Sequence, residues 1–135
     1  MPLITWSDNM SVGVSRIDKE HQKLIELINL LHSEMSLGKS NQVMDKVLDD
    51  LIRYTKTHFA AEETLFRTHN YPEAAAHKKE HDGLTKKVVE LQADFRAGKT
   101  FLGAPTLNFL KEWLTQHILR QDMAYKLFFG SKSVK

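Results

Sequence analysis

Cysteine is absent from the 135 residues, so the chain has no disulfide framework, no thiolate metal site and no cysteine-held iron–sulfur cluster. Any metal must be held through nitrogen and oxygen. A dominant charge is also lacking. Nineteen Lys and Arg against seventeen Asp and Glu leave a net charge of +2, and the only basic doublets are Lys78-Lys79 and Lys86-Lys87. Scattered in this way they read as a solvated helix face, and no nucleic-acid partner is expected. No segment approaches the roughly 18 consecutive apolar residues of a membrane span. The first residues, MPLITWSDNMSVGVSRIDKEH, have neither the basic start nor the apolar run of an export signal. A soluble, cytoplasmic protein with no membrane insertion is therefore expected. Repeats, low-complexity tracts and convincing strands are missing too, and the length suits one domain over 1–135.

What the chain does have is seven histidines and four long helical patterns. Ser15 with Asp18 three residues on reads as a capping box opening a helix over about 15–37, closed by Gly38. Ser40 can cap a second over about 40–68, and Asn70-Tyr71-Pro72 ends it with Pro72 opening a third over about 72–97. Gly98, Gly103 and Pro105 mark the next break, before a fourth over about 105–129 with Gly130 past its end. Four helices with short connections predict an all-α, up-down-up-down antiparallel four-helix bundle. Residues 1–14, with Val12 and Val14 alternating, read as an extended N-terminal arm lying across it. Trp6 and Trp113 read as core or arm-anchoring aromatics.

The core stripes, written at three- and four-residue spacing, are interrupted by ligand-type residues in every helix. The first carries His21 ahead of Leu24, Ile25 and Ile28. The second carries His58 and Glu62 around Phe59, the third His77 and His81, and the fourth His117 and Asp122. Antiparallel helices bring residues to one depth when they lie equally far from a shared turn. His21 lies about 17 residues before the first turn and His58 about 19 after it, a mismatch of about 3 Å at 1.5 Å per residue. The same count brings all seven into one layer. His32 returns to nearly the face of His21 but about 16 Å along the axis, and His69 falls in the break after the second helix. Neither is expected to be a ligand.

Burying five imidazoles and two carboxylates without partners would cost several kcal/mol, whereas a metal satisfies them. The set exceeds the four ligands of a zinc site. Two ions fit better. With Glu62, Asp122 and a hydroxide all bridging, about eleven of twelve positions around two six-coordinate ions are filled and one stays open. Imidazole with carboxylate suits iron, and a single vacancy suits a small diatomic ligand. His77-Lys-Lys-Glu80-His81 also fits H-x-x-E-H, an inverted zinc-protease motif with Glu80 as base. That reading is disfavoured, because it leaves the other five layer residues without a role and the bundle offers no strand to align a peptide.

The combination of His21 in IDKEHQKL with HFAAE, HKKEH and HILRQD resembles the hemerythrin family, in its single-domain bacterial form, over essentially the whole chain. The resemblance implies a non-haem di-iron centre, two Fe2+/Fe3+ ions with a bridging oxo or hydroxo group, that binds O2 reversibly. It implies His77, His81 and His117 on the filled iron, His21 and His58 on the iron with the open site, and Glu62 and Asp122 as bridges. The apolar residues nearest the open iron by spacing are Leu24, Phe59 and Leu114, with Trp113 behind. A monomer is expected that carries or stores oxygen or delivers it to an oxygen-using enzyme. The rival functions are a di-iron oxidase or peroxidase and a sensing module acting through a partner. Oxidases of this kind typically use four glutamates. Carboxylates here are few, which favours binding over oxidation. One irregularity stands out: His117 and Asp122 are five residues apart, about 140° around an ideal helix, so either the fourth helix is locally widened or the two approach from different sides.

Overall fold

The computed structural model describes residues 3–99 and 103–132. Among the described residues there are helices and turns and no strand. The helices are α1 (Ser15–Ser36), α2 (Asn41–Thr68), α3 (Ala74–Arg96), α4 (Ala104–Gln116) and α5 (Lys126–Ser131). Between α4 and α5 the chain stays helical through a π segment, His117–Asp122, and a 3-10 turn, Met123–Tyr125. The fourth helical run is thus continuous but changes its winding three times, from α to π to 3-10 and back to α. α1 packs against α2 and α4, and α2 against α3, the neighbours of an antiparallel four-helix bundle. No helix among the described residues is long and apolar enough to cross a membrane.

Local chemistry sets the helix ends, with two departures from expectation. Ser40 caps α2, its side chain accepting from the Val43 amide at 3.3 Å. Ser15 and Asp18 form no capping box. Asp18 instead accepts from Ser11 Oγ at 2.6 Å and the Val12 amide at 2.9 Å, so its carboxylate ties the preceding segment to α1. Pro72 does not open α3. It lies in a turn in which the Tyr71 carbonyl accepts from the Ala74 amide at 3.1 Å, delaying the helix to Ala74. The reversal into that turn uses Asn70 at φ 55°, a left-handed conformation that asparagine tolerates better than most residues.

The N-terminal segment is not extended throughout, since a 3-10 turn at Asp8–Met10 breaks it. Met1 and Pro2 lie outside the described residues. Ile4 is buried and joined to Asn29 of α1 in both directions, amide to Oδ1 at 2.9 Å and Nδ2 to carbonyl at 2.8 Å. Trp6 packs half-buried on the core.

The core is divided in two. One cluster includes Leu24, Ile28, Leu31, Leu48, Leu51, Phe59, Leu110, Leu114 and Ile118; the other contains Val12, Val14, Ile17, Phe66, Tyr71, Tyr125 and Phe129. His21 falls between Ile17 and Leu24, Glu62 between Phe59 and Phe66, and Asp122 between Ile118 and Tyr125. A polar layer therefore crosses the bundle with apolar packing above and below. Each large side chain buried there contributes about 1.5–3 kcal/mol, which supplies the stability needed to hold polar groups away from water.

Candidate metal centre

Each helical run delivers its share of the layer by simple geometry. A four-residue step keeps His58 and Glu62 on one face of α2, and His77 and His81 on one face of α3. α1 supplies His21. The fourth run must align His117 and Asp122 five residues apart, and it does so by widening: His117–Asp122 is the π segment. The i→i+5 bonding of a π turn returns the fifth residue to nearly the same face, so of the two possibilities open in the sequence the first holds.

All seven side chains are buried, with His21, His58, Glu62 and Asp122 at 0% exposure. Their tips converge. His21 Nε2 lies 2.8 Å from Asp122 Oδ2, while His77 Nε2 and His117 Nε2 lie 2.9 and 3.0 Å from Asp122 Oδ1. His58 Nε2 and His81 Nε2 lie 3.1 and 3.2 Å from Glu62 Oε1. Among the described residues the potential ligand atoms form two sets, each within 4.8 Å: Glu62, His77, His81, His117 and Asp122, and His21, His58, Glu62 and Asp122. Glu62 and Asp122 belong to both.

His77 Nε2 and Asp122 Oδ1 are hydrogen-bonded at 2.9 Å, but most of the other close approaches are not hydrogen bonds. Nε2 of His21, His58, His81 and His117, with Glu62 Oε1 and Asp122 Oδ2, is buried with no hydrogen-bond partner despite these distances. Unpaired buried polar atoms are costly, and here they crowd together close enough to share an ion between them. Nitrogen and oxygen donors so arranged fit metal ions.

Charge follows the same pattern. Burial disfavours charge on His58, but Glu62 and Glu20 outweigh it and raise the imidazole to about 9. For His117 burial is likewise outweighed, by Asp122 and Glu62, and its pKa rises to about 10. Burial would push Glu62 and Asp122 up, yet the surrounding imidazoles hold both well below the usual carboxylate range. His58 and His117 thus pair as buried cations with Glu62 and Asp122.

Residues 12–127 match the hemerythrin HHE cation binding domain. The chain belongs to the hemerythrin family. It is 36% identical over 125 residues to a bacteriohemerythrin of Pseudomonas paraeruginosa, covering 93% of this chain and 80% of that one. Against the bacteriohemerythrin of Methylococcus capsulatus the identity is 35% over 126 residues, covering 93% and 95%. The crystal structure of a wild-type hemerythrin superposes with a TM-score of 0.86 at 34% identity, covering 92% of this chain and 95% of that one. As a member of this family, the chain carries a His/Glu/Asp cluster able to hold metal.

The remaining residues singled out in the sequence fall as follows. Phe59, Trp113 and Leu114 border a small apolar void together with Leu84 and His117, and its space admits no water-sized sphere. Leu24 is fully buried in the core on α1 and does not border it. The Phe59 ring stacks on His81 at 3.8 Å and lies 5.2 Å from His117. Trp113 Nε1 donates to the Leu84 carbonyl at 3.2 Å, fixing the indole at the rim. His32 is half-buried outside both sets, and His69 caps the end of α2 with its ring 5.8 Å from Phe129. Glu80 is exposed and lines a surface cleft that reaches His117 at its floor, and it belongs to neither set of potential ligands.

Sequence reasoning missed three polar contacts around the layer. Glu20 Oε1 meets His58 Nδ1 at 2.7 Å, Glu63 Oε2 meets His81 Nδ1 at 2.9 Å, and Tyr125 donates to Glu62 Oε2. Tyr125 is legible in the sequence only as a core aromatic. Glu20 and Glu63 each adjoin a layer residue, and helical geometry turns adjacent side chains about 100° apart, so spacing gives no reason to bring them to the site.

Proposed function

We propose that the chain holds two iron ions and binds O2 reversibly, as an oxygen carrier, store or delivery protein and not as an enzyme. The observation that supports this best is the pair of overlapping ligand sets. Glu62 and Asp122 are placed to serve both positions. The remaining donors divide unequally, three imidazoles (His77, His81, His117) to one and two (His21, His58) to the other. The second position therefore has one protein ligand fewer, which leaves room for a small diatomic molecule. Iron, with an oxo or hydroxo bridge, would supply the electrons that make O2 binding reversible, and imidazole with carboxylate suits it.

The protein's own part is to position and to exclude. Four helices fix the donors before a metal arrives, so little ordering remains to be done on binding. Phe59, Leu84, Trp113 and Leu114 leave beside His117 only an apolar void too small for water, which helps keep the layer dry and limits proton delivery into it. Two carboxylates leave the centre less anionic than a four-glutamate site, which favours binding O2 over stabilising highly oxidised metal. The bacteriohemerythrin and hemerythrin names of the relatives agree with this reading.

Metal analysis joined to oxygen titration of the reduced protein tests it. Two irons per chain are expected, with a colour that develops in oxygen and disappears when oxygen is withdrawn. One zinc per chain at full occupancy, or colour that does not reverse, would overturn it.

A further inference from the structure

His58 and His81 are each gripped from behind. Nε2 of each faces Glu62, while Nδ1 of His58 meets Glu20 and Nδ1 of His81 meets Glu63. In both cases the acid stands on one helix and holds the imidazole of the next: Glu20 on α1 reaches α2, and Glu63 on α2 reaches α3. The division is even. His58 belongs only to the four-residue set and His81 only to the five-residue set, so each metal position has one imidazole backed by a carboxylate. Nδ1 of His21 and of His117, by contrast, is buried without a hydrogen-bond partner.

We propose that Glu20 and Glu63 are positioning residues, one for each ion of the centre, which fix Nε2 of His58 and His81 as the ligand atom and strengthen its donation to the metal. This rests on the two-ion reading above. A neutral imidazole offers one lone pair, on either nitrogen, and an acceptor at Nδ1 commits the N–H there and the lone pair to Nε2. A charged acceptor also pushes electron density onto the ring, which makes the imidazole more basic and favours the more oxidised metal. Glu20 thus acts on the position with fewer protein ligands, and Glu63 on its neighbour. Both side chains are only slightly exposed, at 12% and 17%, so solvent barely competes for the contact.

Glu20→Gln and Glu63→Gln keep size and shape while removing the charge. Each variant should retain the parent's helical content when metal-free. Each should bind Fe2+ or Co2+ about 10–100-fold more weakly, and each iron-loaded variant should have a higher reduction potential than the parent. In the Co2+ protein the paramagnetic ion shifts the resonances of the exchangeable ring N–H protons away from the rest of the spectrum. Glu20→Gln should move one of these resonances and Glu63→Gln a different one, a signature that a purely structural contact would not give. Unchanged affinity, potential and resonances in both variants overturn the assignment. Loss of fold in both metal-free variants overturns it as well, by making the two acids structural ties; if only one unfolds, the other decides. Failure of the parent itself to bind two ions overturns the two-ion reading instead.

Discussion

The hydroxyl of Tyr125 donates to Oε2 of Glu62 at 2.5 Å, joining two fully buried groups 63 residues apart. Oε1 of the same carboxylate faces the histidines, so one oxygen is held by protein and the other is left for metal. Burial, reinforced by the charges of Asp122 and Glu62, raises the Tyr125 pKa well above its ordinary value, and the phenol remains a donor. Tyr125→Phe would leave Oε2 unpaired in a dry core, at about 1–3 kcal/mol. Thermal unfolding should show a larger loss in metal-free than in metal-loaded protein, because a bound ion compensates Glu62. Equal melting of parent and variant when metal-free would contradict this.

Removing a ligand should cost metal and stability together. His77→Ala or Glu62→Ala should lower iron content and the thermal stability of the helices, because the other layer residues remain buried without their ion. His32→Ala and His69→Ala should leave iron content unchanged. Iron loss in either of these two would show that the layer is drawn wrongly.

Leu114 tests water exclusion. It is buried to 1% and borders the void beside His117. Leu114→Ala should leave a cavity, destabilise the protein by about 2–5 kcal/mol, and let water in beside polar groups. The expected result is retention of two irons and oxygen binding, with faster decay of the oxygenated colour to the oxidised form. Decay measured at matched iron loading should distinguish the proteins; an unchanged or slower rate would remove Leu114 from the protective wall.

The metal-free protein should depend on pH in a particular sense. His58 and His117 have folded pKa values raised to about 9 and about 10. Their contribution to stability is full below the unfolded value of about 6.5 and is lost as pH rises through the folded values. Glu62 and Asp122 are lowered, so their contribution is present above the ordinary carboxylate range and is lost as pH falls through the depressed values. The melting temperature of metal-free protein should therefore fall between pH 6.5 and 10, a decline absent from loaded protein, in which the imidazoles are already unprotonated. A flat profile for metal-free protein over that range would count against the buried ion pairs.

The all-helical bundle and the seven layer residues were legible in the sequence because both depend on periodicity. A 3.6-residue repeat puts His21, His58 and Glu62, and His77 and His81, on the inward stripes, and equal distance from short turns brings them to one depth. Local propensity was a poorer guide to the helix starts. Ser15 and Asp18 have capping-box spacing, yet Ser11 and the Val12 amide compete successfully for the Asp18 carboxylate. Pro72 could open a helix, but the Tyr71–Ala74 turn keeps it outside.

The sequence by itself determined which residues face inward and at what depth, since those follow from the helical repeat along a single chain. Tertiary structure decided what adjacency between helices decides. It widened the fourth run at His117–Asp122, where a five-residue spacing had two possible resolutions. It turned Glu20 and Glu63, one step off the layer in sequence, onto histidines of the neighbouring helices. It also brought Tyr125 to Glu62 and set Leu84 beside Trp113 at the void. These contacts depend on how two helices are rotated against each other, which is set by packing across the whole core and is not contained in the periodicity of either one.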